Sequence, residues 1–164
     1  MATLIELDTT GSLSKFDPAL DDDQQEFRVL YASPRLRKWL EEVLPKLRST
    51  WNIEVTPLEQ FDALMEAYAS GEPLVFQHNF YPISHVSGYV WELKTPDLRI
   101  FGWFVARDCF VGVAADTTDR IKLHRLYHGY AGEVAHFLEN LDLDEPKFIA
   151  GDDPNAVVSN FDYP

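Results

Sequence analysis

The stretch 89–114, YVWELKTPDLRIFGWFVARDCFVGVA, holds three runs of aromatic and β-branched residues separated by TPD and ARD. Interruptions that short close hairpins, so YVWEL (89–93), LRIFGWFV (98–105) and CFVGVA (109–114) read as antiparallel neighbours. Along the middle run Leu98, Ile100, Gly102 and Phe104 share one face, and Arg99, Phe101, Trp103 and Val105 the other. Both faces are largely apolar. A strand of that kind is expected in the centre of a sheet.

Outward from this meander, LVFQHNF (74–80) reads as a further strand and FRVLYA (27–32) as a short one with a polar break at Arg28. Two helices are expected between them. Ser33 caps the first and Pro34 opens it, with Leu36, Trp39, Leu40, Val43, Leu44 and Leu47 at helical spacing. Pro45 lacks an amide hydrogen and clashes with the preceding turn, so this helix should kink or restart there. Its basic set, Arg35, Arg37, Lys38, Lys46 and Arg48, reads as a solvated face. TPLE (56–59) starts the second helix with a capping box, and its stripe is Leu58, Phe61, Leu64, Met65 and Tyr68. Past the sheet, a helix is expected around 119–127, interrupted by Gly129 and Gly132, and another over EVAHFLENL (133–141). The expected fold class is therefore α+β. A helical hairpin packs on a curved antiparallel sheet of about four strands over residues 27–141, with extended acidic arms at 1–26 and 142–164.

The chain has 164 residues, 46% of them hydrophobic and 13% aromatic, which is enough material for one core. Its formal net charge of −13 argues against nucleic acid until its distribution is read. Residues 1–26 carry seven acids against Lys15, and residues 139–164 carry seven against Lys147. The middle is left nearly neutral, with thirteen acids and twelve bases. A single cysteine, Cys109, excludes an intramolecular disulfide and a cysteine-based zinc cage, which suits a reducing, cytoplasmic setting. No apolar run approaches the roughly 18 residues of a membrane span, so no membrane partner is expected.

The order strand, helix, helix, antiparallel strands, together with residues 89–114, resembles the RelE/ParE toxin superfamily over residues 27–128. There a W-E-L-like strand is followed by a turn, an arginine on the next strand, a run of aromatics, a tight turn and an apolar strand. The resemblance implies a protein that contacts RNA or the ribosome, with an antitoxin or other protein partner, and in some members metal-independent endoribonuclease activity. Arg99 matches the family's sheet arginine and Arg107 is a second candidate in the following turn. His124, Tyr127 and His128 fall where members carry catalytic Tyr, His or Lys, and Lys122 and Arg125 add positive potential. Other members poison gyrase and some are inert, so fold does not fix activity. The acidic arms and the added length depart from the family. They favour an alternative, a non-enzymatic acidic protein–protein interaction module, including one that mimics nucleic acid.

Read without the resemblance, KLHRLYHGY (122–130) is a partly exposed amphipathic segment in which Leu123, Leu126, Tyr127 and Tyr130 pack and the bases face water. His124 and His128 stand at i and i+4, a metal-pair spacing on a helix, but lack the glutamate of H-E-x-x-H and an adjacent third ligand. No metal is expected. Walker A and dinucleotide glycine patterns are absent, so no cofactor is expected either. His78 and His85 read as exposed polar residues, and Cys109 as a small core residue.

Overall fold

The computed structural model describes residues 1–51, 53–83 and 88–164; His85 lies outside them. The elements run α1 (Leu4–Thr10), β1 (Ser14–Lys15), β2 (Val29–Ala32), α2 (Pro34–Glu42), α3 (Pro57–Ser70), β3 (Leu74–Val75), β4 (Phe80–Pro82), β5 (Val90–Lys94), β6 (Leu98–Ala106) and β7 (Cys109–Thr117). After these come α4 (Thr118–His124), α5 (Tyr127–Asn140), α6 (Pro154–Val157) and β8 (Phe161–Asp162). The fold is α+β, and the two expected hairpins are present: β5 pairs antiparallel with β6, and β6 with β7.

The sheet differs from the expected one in three ways. It has six strands in the order β1-β2-β7-β6-β5-β4. It is mixed, because β2 lies parallel to β7. Helices also cover both of its faces. On one face Leu36, Leu44, Phe61, Leu64, Met65 and Tyr68 of the helical hairpin region pack on Leu30, Trp91, Ile100, Phe104 and Phe110. On the other, Ile121, Ala131, Val134 and Leu138 from α4 and α5 pack on Phe101, Trp103, Val111 and Val113. The period-2 reading of β6 holds, since Leu98, Ile100 and Phe104 enter the first core while Phe101 and Trp103 enter the second.

The expected extended arms are corrected as well. Thr3 and Glu6 form a capping box at the start of α1, and Leu7 and Leu13 are buried in the second core. Ser14 and Lys15 add an antiparallel strand beside β2. At the other end β8 pairs parallel with β3, and Val157 and Val158 are buried in the first core. Acidic residues in these segments coexist with a minority of apolar residues that bury, and hydrophobic burial sets their course.

Helix boundaries follow local chemistry. α2 stops at Glu42, and Pro45 sits in a single 3-10 turn over Leu44–Lys46. The segment 74–80 divides into β3 and β4 around Gln77, whose φ is 75°. Gly129 and Gly132 do not interrupt α5, because the buried stripe Ala131, Val134 and Leu138 outweighs their cost of about 1 kcal/mol each. The break falls earlier, at Arg125 with φ 54°.

Candidate functional site

The register of the β5–β6–β7 meander sets three charged side chains in a row. Arg99 lies opposite Lys94 on one side and Asp116 on the other. Glu92, two residues before Lys94, pairs with Phe101 and so shares the face of the sheet that α5 covers. Arg99 is only 8% exposed, and its Nη1 donates to the carbonyls of Thr95 at 2.6 Å and Leu98 at 2.8 Å. Its Nε stands 4.0 Å from Glu92 Oε2. From above, the first residue of α5 brings in Tyr127, whose ring meets Phe101 edge-on at 5.9 Å and whose phenol lies within the electrostatic reach of Glu92 and Arg99. Lys122, exposed on α4, reaches both Glu92 and Lys94 through its electrostatic field.

Arg99, Tyr127 and Lys122 therefore come together, and Arg107 does not join them. Arg107 sits exposed in the β6–β7 turn, roughly 25 Å from Arg99 along the strand direction. It is removed from the site. His124 ends α4 and His128 is the second residue of α5, both exposed. Because the chain turns through a left-handed residue at Arg125, their i, i+4 spacing does not put both imidazoles on one helical face. Among the described residues no three His, Cys, Asp or Glu side chains group as a metal site. Cys109 is partly buried, and burial pushes its thiol up to about 11, far from a reactive thiolate.

Sequence reasoning missed Glu92, Lys94 and the surface they border. Gln77, His78, Asn79, Lys94, Thr95, Pro96 and Arg99 line an open groove of about 410 Å³. Lys94 Nζ lies 5.7 Å from the centroid of the Tyr81 ring, a cation–π distance. The signal for Glu92 was present, since a lone acid inside an apolar strand needs a partner across the hairpin. A second polar group lies on the other side of Arg99. Asp116 accepts from Tyr130 Oη at 2.6 Å and from Arg120 Nε at 3.0 Å. Burial and Asp116 push the Tyr130 phenol up to about 12, and its ring stacks on Phe101 at 5.0 Å.

Burial raises the proton affinity of Glu92 against the opposing pull of Arg99, Lys94 and Lys122. Burial lowers the affinity of Lys94, with Arg99 acting the same way. A carboxyl whose folded pKa exceeds its unfolded one favours folding below the ordinary carboxylate range and loses that contribution as pH rises through the folded value. Glu92→Gln should accordingly match the wild type in stability near pH 4 and gain on it progressively toward pH 8, as read by urea midpoints across that range. A constant difference at all pH values would show that Glu92 titrates as an ordinary exposed carboxylate.

Comparison of the chain with protein-family models, curated proteins and solved structures finds no match in any of the three.

Proposed function

We propose that this chain is a RelE/ParE-like, toxin-related protein that contacts RNA or the translation apparatus through the groove bordered by Arg99, and that the reaction suited to its groups is metal-independent endoribonucleolytic cleavage. The observation that carries this reading is the meeting of Arg99, Lys94, Lys122 and Tyr127 around one buried carboxyl beside an open polar groove. The order of elements, β2, α2, α3 and then the antiparallel run β4 to β7, is in keeping with the resemblance. In such a cleavage the 2′-oxygen attacks the adjacent phosphorus as its proton passes to a base, the bond to the 5′-oxygen breaks, and that oxygen takes up a proton. The products are a 2′,3′-cyclic phosphate and a 5′-hydroxyl. Arg99, Lys94 and Lys122 would offset charge on the phosphorane. Glu92, whose burial moves it toward neutral pH, suits one of the proton transfers, and His124 and His128 are the imidazoles nearest in sequence to Tyr127 for the other.

The test is expression in a bacterial host with inspection of total RNA, beside oligoribonucleotide binding by the purified chain. Growth arrest, RNA cleavage and salt-sensitive binding are expected for the wild type. Lys122→Ala, at an exposed position, should weaken binding several-fold, and Arg99→Ala should weaken it about tenfold or more and remove cleavage. Arg107→Ala, at the opposite end of the hairpin, should change neither. A wild type that neither binds RNA nor cleaves it sinks the proposal.

A second reading, the acidic protein-interaction module, has a separate observation in its favour. An apolar groove of about 390 Å³, lined by Ile53, Val55, Leu64, Ala67, Leu74 and Pro96 among others, lies beside Trp51, which is 59% exposed and donates to the Pro96 carbonyl. Large exposed apolar side chains around a groove are a protein-docking feature. Intact RNA with unimpaired growth would favour this reading.

A further inference from the structure

Two buried polar atoms in the site face one another without a hydrogen-bond partner among the described residues. Glu92 Oε2 and Arg99 Nε are 4.0 Å apart, on side chains only 5% and 9% exposed, and neither makes a hydrogen bond. The separation is too long for a direct bond. Unpaired buried polar atoms are costly, so a further oxygen placed between these two would be stabilised. A single oxygen atom can fill it, accepting from Arg99 Nε and from a protonated Glu92 through bonds of about 2.8 Å each.

The surroundings specify the charge of that occupant. Glu92 is faced by Arg99 from β6, Lys94 from its own strand, Tyr81 from its registered position on β4, Lys122 from α4 and Tyr127 from α5. Three cations stand against one carboxyl, and Arg99 and Lys94 also line the groove with His78. We infer that the gap between Glu92 and Arg99 receives a phosphate oxygen, with Glu92 protonated as its second donor, so that anion binding and proton uptake at this site are coupled. The inference rests on the RNA reading for the biological source of the phosphate and deepens it by naming the contact.

The coupling has a definite sign. Without an anion, burial favours the neutral carboxyl and the three cations favour the charged one, with burial ahead. A bound anion cancels part of the cations' pull and adds its own repulsion of a carboxylate, so both changes raise the proton affinity of Glu92. By linkage, the anion binds more tightly as pH falls through the range in which Glu92 titrates.

Sulfate tests this cleanly, because it presents phosphate-like oxygens and carries no proton of its own near neutral pH. Calorimetric titration of the full chain at constant ionic strength should show affinity about tenfold or more higher near pH 5.5 than near pH 8. The binding heat should also vary with the ionisation enthalpy of the buffer, the mark of proton uptake. Glu92→Gln keeps a donor in place and cannot titrate, so it should bind sulfate equally at both pH values with no uptake. Equal circular dichroism and urea midpoints near pH 4 establish that the variant is folded. Sulfate binding that ignores pH in the wild type, a pH dependence that survives in Glu92→Gln, or no sulfate binding at all would each overturn the inference. An oligoribonucleotide arm separates the two proposals. RNA binding without sulfate binding leaves the RNA reading and removes the coupled site, whereas proton-linked sulfate binding without RNA binding keeps the site and assigns it to a free phosphate or small phosphate ester.

Discussion

Gly102→Ala is expected to destabilise the domain by at least about 4 kcal/mol, the size of effect reserved for a clash that the surroundings cannot relieve. Gly102 lies in the middle of β6, where the pairing with β7 shifts register between Phe101 and Gly102. A Cβ there would sit 2.0 Å from the carbonyl oxygen of Val111 and 2.7 Å from the Phe110 ring. The first obstacle is backbone of the neighbouring strand. It can move only if the β6–β7 ladder opens, and that ladder separates the two cores. Gly112, the registered partner of Gly102, gives the internal comparison. Its Cβ would meet Leu36 Cδ2 at 2.5 Å, the far end of a flexible side chain, so Gly112→Ala should cost roughly 1–3 kcal/mol as Leu36 shifts. Gly129, with nothing within 4 Å of an added Cβ and a place inside α5, should gain roughly 1 kcal/mol as alanine. Urea unfolding of the three variants orders these effects. Equal losses at Gly102 and Gly112 would mean that the strand, not the close approach of Val111, sets the cost.

The same middle strand explains why so much of the fold was legible in sequence. Short polar interruptions at TPD and ARD set the hairpins, and two apolar faces on LRIFGWFV marked it as a central strand. What covers the second face was not legible, because periodicity specifies an apolar stripe without naming its partner. Leu7 and Leu13 are isolated among acids and turn formers, and they bury only because the chain returns along β2. The parallel pairing of β2 with β7 is likewise a long-range choice, made once the α2–α3 pair has carried the chain across. α5 ran through two glycines because its tertiary stripe overrode their intrinsic penalty.

The site divides along a similar line. Arg99 was singled out by the resemblance of residues 89–114, and Tyr127 and Lys122 as members of the polar cluster KLHRLYHGY. Arg107 was misplaced by the geometry of a hairpin, in which residues close to the turn are far from the strand's other end. Glu92 and Lys94 could have been found from the hairpin register, since a turn on Pro96–Asp97 closed by Thr95 and Leu98 places Lys94 opposite Arg99 and Glu92 on the same face. The αL residue at Arg125, which separates His124 from His128, had no sequence marker such as glycine or asparagine.

Arg28→Met is expected to cost about 3–5 kcal/mol, because it removes a buried charge whose partners have no substitute. In sequence Arg28 was a polar break in a short strand; in the fold it is 1% exposed and joins four distant segments. Its Nη1 donates to the carbonyls of Ala67, Tyr68 and Glu72 at the end of α3, at 3.2, 2.9 and 3.0 Å. Its Nη2 donates to the Asn160 carbonyl at 2.8 Å, and its Nε faces Asp108 Oδ1 in the β6–β7 turn at 3.4 Å. The carbonyls at the end of α3 are among those a helix cannot satisfy internally, so the guanidinium works as a buried C-terminal cap. Methionine fills much of the volume and isolates the loss of these bonds from the loss of packing. Lysine keeps the charge but cannot spread donors over four carbonyls and a carboxylate, so Arg28→Lys should recover only part of the stability. Amide exchange gives the spatial signature: protection in both variants should fall first at Leu74 and Phe76, whose amides bond to the Asn160 and Asp162 carbonyls. Loss of protection spread evenly over both cores, or a Lys variant as stable as the wild type, would show that Arg28 contributes charge alone. The former arm would then be held by Val157 and Val158 without its tether at Asn160.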